Sequence, residues 1–283
     1  MLAIKNNHPL DNPLPFIRDS TGPNIPLTSV LEIVDRFLPP IKREEILHRL
    51  TEKTDRTTSI HYGKTAEEIE QYLEDDHDER TYSGTKLHEA ISNSYNGFET
   101  PVDSPEYTQF LRFKHYCRFS PYRTEWSIYD PFVRIVGNID MAFTESPESP
   151  DNLILYEWKS VKYMRKYPAD VYGVELAETI PNNPFWRWTL QLNIYRAILE
   201  KNYGKKVTEL RVLILQKSST KYVDIKVPML DNIIFYIWRW RKAQILGIPY
   251  RHVQFNHAHK PATTSRKNKK CMIEDEYIGD PHI

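Results

Sequence analysis

The sequence is poor in cysteine. It contains two among 283 residues, Cys117 and Cys271, and they do not form a C-x-x-C pair. Four-cysteine zinc sites and cysteine-ligated iron–sulfur clusters need more thiols than one chain offers here, so both are excluded. A disulfide framework is not expected either.

Long apolar runs are also missing. None approaches the roughly 20 residues that a membrane-spanning helix needs. Residues 1–19 are rich in proline and asparagine, and they show neither the apolar segment of a signal peptide nor the pattern of a transit peptide. We therefore expect an intracellular protein without a membrane partner. A nuclear, cytoplasmic or viral origin stays open.

The sequence also lacks an excess of charge of either sign. The chain has 38 basic and 38 acidic residues. A neutral total is compatible with a basic groove, because acidic metal ligands offset part of the count, so charge neither supports nor excludes a nucleic-acid partner. What is abundant is aromatic surface, with 18 Tyr, 11 Phe and 6 Trp available for packing or for stacking on bases.

Two capping boxes predict helix starts in the first third of the chain. They are formed by Ser29 with Glu32 and by Thr65 with Glu68. We expect the second helix to end near residue 75, because a charged run follows it that is most simply a solvated loop. Residues 1–26 are expected to be an extended arm.

From residue 84 onward the pattern predicts an α/β protein. Short segments rich in Val, Ile and aromatic residues, bounded by turn-forming residues, indicate strands, and longer periodic segments indicate helices. The order is not a regular alternation of strand and helix. The predicted elements are a helix at 84–95, strands at 124–129, 134–144 and 153–161, a helix at 186–203, strands at 209–216 and 221–227, and a helix at 230–246.

Two carboxylates and an amine come together in the predicted strands. Glu157 and Lys159 alternate along one strand and therefore share a face. A hairpin with the preceding strand would place Asp140 beside Glu157. Converging carboxylates repel each other unless a cation lies between them, and oxygen ligands suit Mg²⁺ or Mn²⁺. An adjacent lysine could orient the attacking water or stabilise charge on a phosphate.

This trio belongs to a series of five motifs in a fixed order. The motifs are a G-x-x-x-H helix at Gly84–His88, a strand glutamate at Glu125, G-x-x-D at Gly137–Asp140, E-x-K at Glu157–Lys159 and Q-x-x-x-Y at Gln191–Tyr195. An isolated E-x-K arises by chance, whereas five ordered matches are specific. The series resembles the PD-(D/E)XK nuclease superfamily, and within it the RecB-like exonuclease branch.

The resemblance implies a role for each metal-proximal residue. Asp140 and Glu157 would hold the metal, and His88 and the backbone carbonyl of Trp158 would complete part of its coordination. Lys159 would position the nucleophilic water.

It also implies roles for three residues around that centre. Glu125 would contact the metal through water or support a second ion. Gln191 and Tyr195 share one helix face because they are four residues apart. They would hydrogen-bond a phosphate and brace Lys159.

Two departures from the pattern are visible. Ile139 stands where some members have proline before the metal-binding aspartate, which changes little. Ser92 stands where many members have a glutamate one turn after the histidine, which weakens a second-metal role for that helix.

The fold implied is a restriction-endonuclease-like core, a central mixed sheet flanked by helices, with an added N-terminal helical region. We expect residues 1–83 to pack on the core as an arm and helical region, 84–250 to be the nuclease core, and 251–283 to be a polar, flexible tail. The function implied is a Mg²⁺- or Mn²⁺-dependent DNA exonuclease in repair, recombination or replication, without an iron–sulfur cluster. Its DNA would be single-stranded or carry an end, and protein partners stay undefined.

Other interpretations remain open from the sequence alone. The same metal centre would serve a structure-specific or RNA-cleaving endonuclease, and a catalytically silent nucleic-acid-binding module could retain the fold. His88, Gln191, Tyr195 and Glu125 could each be ordinary helix or strand residues. Basic residues on the last predicted helix, together with lysines at and just after the end of the preceding helix, could follow a phosphate backbone or form a solvated face; they are Arg239, Arg241 and Lys242, with Lys201, Lys205 and Lys206.

Overall fold

The computed structural model describes residues 27–51, 61–98, 102–162 and 171–250. The predicted N-terminal arm and the predicted flexible tail lie outside these ranges. Within them, no helix combines the length and apolar character of a membrane span.

Twelve helices and strands make up the described fold, together with one 3₁₀ turn at Glu175–Ala177. In chain order they are β1 (Thr28–Ser29), α1 (Val30–Phe37), α2 (Arg43–Thr51), α3 (Ala66–Tyr95), α4 (Pro105–Tyr116), β2 (Ser120–Asp130), β3 (Ile135–Thr144), β4 (Asn152–Val161), α5 (Pro184–Asn202), β5 (Lys206–Gln216), β6 (Val223–Lys226) and α6 (Asp231–Ile245).

The strands form one mixed sheet in the described part of the chain. Its order is β1-β3-β4-β5-β6, and β2 pairs with β3. Strand β3 runs antiparallel to β2 and β4, whereas β4 runs parallel to β5. The predicted fold class is therefore confirmed: the protein is α/β, with a central mixed sheet flanked by helices, consistent with a restriction-endonuclease-like core.

Helices cover both faces of this sheet. Side chains alternate across each strand, so Leu153 and Leu155 of β4 enter one core while Ile154, Tyr156 and Trp158 enter the other. The larger core lies under α1, α5 and α6. The smaller and strongly aromatic core lies under α3 and α4.

Helix α1 belongs to the larger core although it lies in the predicted N-terminal region. Its capping box is formed as predicted, with Ser29 and Glu32 each bonding the other's backbone N–H. Val30, Ile33, Val34 and Phe37 are buried against the sheet. The division of the chain at residue 83 stays a prediction.

Helix α3 is longer than the sequence predicted. The expected end near residue 75 and the expected loop at 75–80 are wrong, since one helix runs from Ala66 to Tyr95. The charged run contains no proline, and its side chains pair along the helix, as Asp76 does with Arg80. Gly84 costs an interior helix only about 1 kcal/mol.

Helix α4 was not predicted, although its start carries a signal. The Ser104 side chain accepts a hydrogen bond from the Tyr107 N–H, and Pro105 occupies the first helical position. Phe110 and Phe113 then enter the aromatic core.

One edge of β3 is interrupted, and the candidate site lies at this interruption. Strand β2 pairs along one edge of β3 from Ile135 to Thr144. On the other edge, β1 pairs only with Ile135 and Val136, and β4 only with residues 141–144. Residues 137–140 thus face a gap between β1 and β4.

Gly137 allows an aromatic ring to close this gap. A Cβ atom at this position would lie 2.5 Å from Cε1 of Tyr195 and 2.8 Å from Cγ2 of Val30. Both neighbours are buried side chains with little room to move. The close approach of the α5 tyrosine to β3 therefore requires glycine.

We expect Gly137→Ala to lower the free energy of unfolding by about 1 to 3 kcal/mol, because the added methyl group overpacks a closed site. Gly84→Ala is the matched control: a Cβ there would meet nothing within 4 Å, so the variant should be slightly more stable. Urea denaturation followed by circular dichroism measures both. Equal unfolding midpoints for Gly137→Ala and the wild type would contradict the packing argument.

Candidate metal centre

The gap beside β3 collects polar side chains from both helical layers and from three strands. Helix α3 reaches it from one face of the sheet and α5 from the other. The side chains are those of His88, Glu125, Asp140, Glu157, Lys159, Gln191 and Tyr195, which the sequence singled out.

Three of these residues form a group that could hold a metal ion. His88 Nδ1 lies 3.4 Å from Asp140 Oδ1 and 4.0 Å from Glu125 Oε1. One ligand atom from each residue lies within 4.8 Å of the other two. Imidazole and carboxylate donors at this spacing suit a divalent cation.

Glu125 reaches this group through an unusual backbone conformation. Its backbone φ angle is +47°, in the left-handed region that residues other than glycine rarely adopt. Its neighbours Thr124 and Trp126 pair with Met141 and Ile139 across the ladder. Such strain persists where the surroundings hold it in place and often marks a functional position.

Hydrogen bonds from neighbouring elements hold the Glu125 region. Asn138 Nδ2 donates a hydrogen bond to Glu125 Oε2 at 2.6 Å. Ser92 Oγ donates to Thr124 Oγ1 at 3.0 Å and so ties α3 to β2. Sequence reasoning missed Asn138, although its position two residues before Asp140 on one strand was a usable signal.

Asp140 is fixed where β3 and β4 separate. The last paired residues are Met141 and Tyr156, so Asp140 and Glu157 occupy the next register position. Asp140 Oδ2 accepts a hydrogen bond from the Trp158 backbone N–H at 2.8 Å. The carboxylate thus replaces a ladder bond and leaves its other oxygen facing His88.

Glu157 is buried and has one oxygen without a partner. Oε1 accepts hydrogen bonds from Lys159 Nζ at 2.9 Å and from Gln191 Nε2 at 2.6 Å. Oε2 is buried and receives no hydrogen bond from the described residues. An unsatisfied buried carboxylate oxygen is costly, and a cation would satisfy it.

Helix α5 supplies the other wall of the centre. Asn183 caps its start, and Gln191 and Tyr195 follow one turn apart inside the buried segment. Gln191 Nε2 also donates to the Tyr195 hydroxyl oxygen at 2.9 Å. The two residues therefore connect the Glu157 carboxylate to the ring that closes the gap.

The electrostatics indicate too little positive charge for the acids present. Burial, and then the charge of Asp140, raise the pKa of Glu125 to about 6. The same two causes raise the pKa of Glu157, against the opposing effect of Lys159. Each shift means that a further negative charge is disfavoured there, which a divalent cation would reverse.

For the two basic groups, His88 and Lys159, the surroundings favour the charged form. Burial alone would lower the pKa of His88, but the hydrogen bond and charge of Asp140 outweigh it and raise this pKa. Burial would likewise lower the pKa of Lys159, and the carboxylates of Glu157 and Asp140 raise it. The carboxylate oxygens of the centre fit a hard divalent cation, and such an ion would bind the unprotonated His88 imidazole in place of its proton.

The structure brings together every side chain that the sequence proposed for the site. The set with metal-ligand spacing is His88, Glu125 and Asp140, whereas the sequence placed Glu157 in the inner set and Glu125 further out. Trp158 directs its side chain into the aromatic core, and its N–H bonds Asp140. Metal ligation by Glu157 or by the Trp158 carbonyl remains a prediction.

Comparisons with known proteins give no family. No family model matches the chain, and no curated protein matches it. Among solved structures, the protein SSO0001 is 13% identical, with a TM-score of 0.32, over 80% of this chain and 78% of that one. A "Putative exonuclease" from Eubacterium rectale is 13% identical, with a TM-score of 0.38, over 78% of this chain and 80% of that one. At such values the likeness supports no conclusion about activity.

We expect Mn²⁺ to stabilise the protein, because binding to the folded state adds about 2.7 kcal/mol when the free ion is at 100 times its Kd. The change Asp140→Asn should abolish this gain. It should change the melting temperature little without metal, since it removes both the repulsion from Glu125 and Glu157 and the attraction to His88 and Lys159.

Thermal unfolding with and without Mn²⁺, alongside electron paramagnetic resonance of the bound ion, measures both effects. Asp103→Asn, which changes an exposed acid outside the centre, is the control and should bind Mn²⁺ normally. Equal Mn²⁺ stabilisation of Asp140→Asn and the wild type would contradict the site.

Proposed function

We propose that this protein is a Mg²⁺- or Mn²⁺-dependent nuclease that hydrolyses phosphodiester bonds in DNA, with the chemistry of the PD-(D/E)XK superfamily. The observation that carries the proposal is the buried Glu157, whose free oxygen and bound lysine lie beside the His88, Glu125 and Asp140 group. Most buried polar atoms in folded proteins have a hydrogen-bond partner, so the open oxygen favours a ligand at this position.

The ion, when bound, would polarise the phosphate and lower the pKa of the attacking water. His88, Glu125 and Asp140 would hold it, and Glu157 offers its free oxygen toward the same space. Lys159 remains protonated because the carboxylates raise its pKa. Its ammonium group can therefore orient the water and stabilise negative charge that develops on the phosphate.

Gln191 and Tyr195 act on this arrangement from helix α5. The Gln191 amide holds Glu157 and the Tyr195 hydroxyl in one chain of hydrogen bonds. It thereby limits the orientations available to Lys159, which shares the same Glu157 oxygen. In this proposal both side chains would also contact a phosphate that approaches the gap.

Within this class we propose an exonuclease of the RecB-like type, acting in the intracellular handling of DNA during repair, recombination or replication. The support is the ordered series of five motifs, all of whose side chains lie around one gap. In this proposal the described helices that precede residue 84 wall the active face, and residues 84–250 carry the chemistry.

The change Lys159→Ala should lower kcat for DNA cleavage by about 10²- to 10³-fold, the effect of removing one group that stabilises transition-state charge. DNA binding and Mn²⁺ binding should change far less, because the ligand group is retained. Lys221→Ala, at an exposed lysine without an acidic partner in the described chain, is the control. Unchanged kcat in Lys159→Ala would refute the assignment.

End dependence tests the exonuclease assignment separately. A linear DNA labelled at its 5′ or 3′ end should be degraded progressively from an end, and a covalently closed circle should persist in the same reaction. Gel electrophoresis over time shows both. Rapid loss of the circle would point to an endonuclease while leaving the metal-dependent chemistry intact.

A further inference from the structure

A second groove lies apart from the metal centre. It is formed by α6, the C-terminal half of α5 and the β2–β3 turn, and it encloses about 700 Å³. None of the seven polar side chains of the metal centre lines it. Its volume is in the range of a real ligand site.

Two phenylalanines border this groove and face solvent. Phe132 in the β2–β3 turn is 78% exposed, and Phe235 on α6 is 55% exposed. They come from different elements, so their exposure does not follow from one helix being amphipathic. Trp238 also lines the groove, and its indole N–H donates to buried Asp130 at 3.1 Å.

The charge available in the groove is positive. Lys201, Arg239 and Lys242 line it and have no acidic partner among the described residues. Arg239 lies over the Phe235 ring, 5.5 Å from its centroid, and Lys201 lies 5.4 Å from that of Trp238. Of these two rings only Phe235 is exposed, because Trp238 is buried, and Arg239 covers one face of the Phe235 ring.

The acids of the groove are already engaged. Asp130 accepts hydrogen bonds from the Phe132 and Val133 N–H groups and from Trp238. Asp231 pairs with Arg196. Glu200 accepts a hydrogen bond from the Val207 N–H at 3.2 Å. They therefore offset the three cations only in part.

We infer that this groove binds a single strand of nucleic acid, and that it guides that strand on the side of α5 remote from the metal. The inference rests on the proposed function. Phosphates would contact Lys201, Arg239 and Lys242, and bases would stack on Phe132 and Phe235. This combination of cations with open aromatic faces suits unpaired bases, because duplex bases already stack on each other.

Helix α5 connects the groove to the metal centre. Gln191 faces the centre and Lys201 faces the groove on the same helix. Ten residues separate them, a rise of about 15 Å along the axis. In this proposal a strand held in the groove continues to the gap beside β3.

The test measures fluorescence anisotropy of labelled oligothymidylate in EDTA, so that binding is read without cleavage. The double change Phe132→Ala with Phe235→Ala should raise Kd at least about tenfold, from lost stacking. The double change Arg239→Gln with Lys242→Gln should reduce the slope of log K against log salt by about 1.4. Phe98→Ala and Lys221→Gln, at exposed residues outside the groove, should leave both quantities unchanged.

A second measurement separates this inference from the proposed function. Hydrolysis of bis(p-nitrophenyl) phosphate with Mn²⁺ reports on the metal centre alone and should be unchanged in the groove variants. Weaker binding with intact hydrolysis supports the groove. Normal binding and a normal salt slope in both double variants would overturn it while leaving the nuclease proposal in place. Groove-dependent binding by a protein that hydrolyses no phosphodiester would support the groove and refute the nuclease.

Discussion

The structure depends on how three carboxylates are accommodated beside one lysine in a break in the sheet. Asp140 and Glu157 are nearly inaccessible to water, and Glu125 is partly covered. Carboxylates so placed repel one another, and a protein keeps them together only if bonds or a counter-ion compensate. The local fold supplies part of this compensation, through the Trp158 N–H, the Lys159 ammonium and the Gln191 amide. The remainder falls to the cation that we propose.

Both helical layers are needed to build this arrangement. Histidine reaches the break from α3 and glutamine from α5, on opposite faces of the sheet. The aromatic core under α3 and the larger core under α5 therefore fix the two walls independently. The tyrosine that packs on Gly137 sets the distance between α5 and β3. Packing in the two cores therefore determines the geometry of the metal centre.

Much of this could be predicted from the sequence because its signals are local. Capping boxes gave the starts of α1 and α3, and alternating apolar residues gave β3 and β4. The continuity of α3 could not be anticipated, since ion pairs along a helix compensate for a charged run that resembles a loop. The closeness of Glu125 to His88 and Asp140 depends on one left-handed residue, and no pattern in a single sequence specifies it. Phe132 and Phe235 lie 103 positions apart in the sequence, and only the tertiary fold shows that they line one groove.

The left-handed conformation of Glu125 couples side-chain identity to backbone shape. Glycine and asparagine adopt this conformation at least cost, whereas β-branched residues resist it. During evolution, a replacement at this position would have to preserve the carboxylate chemistry and also tolerate the left-handed backbone conformation. A lineage that abandoned the metal would be expected to drift toward glycine or asparagine here and not toward valine. The residue found at position 125 in distant relatives would then record whether the centre is still in use.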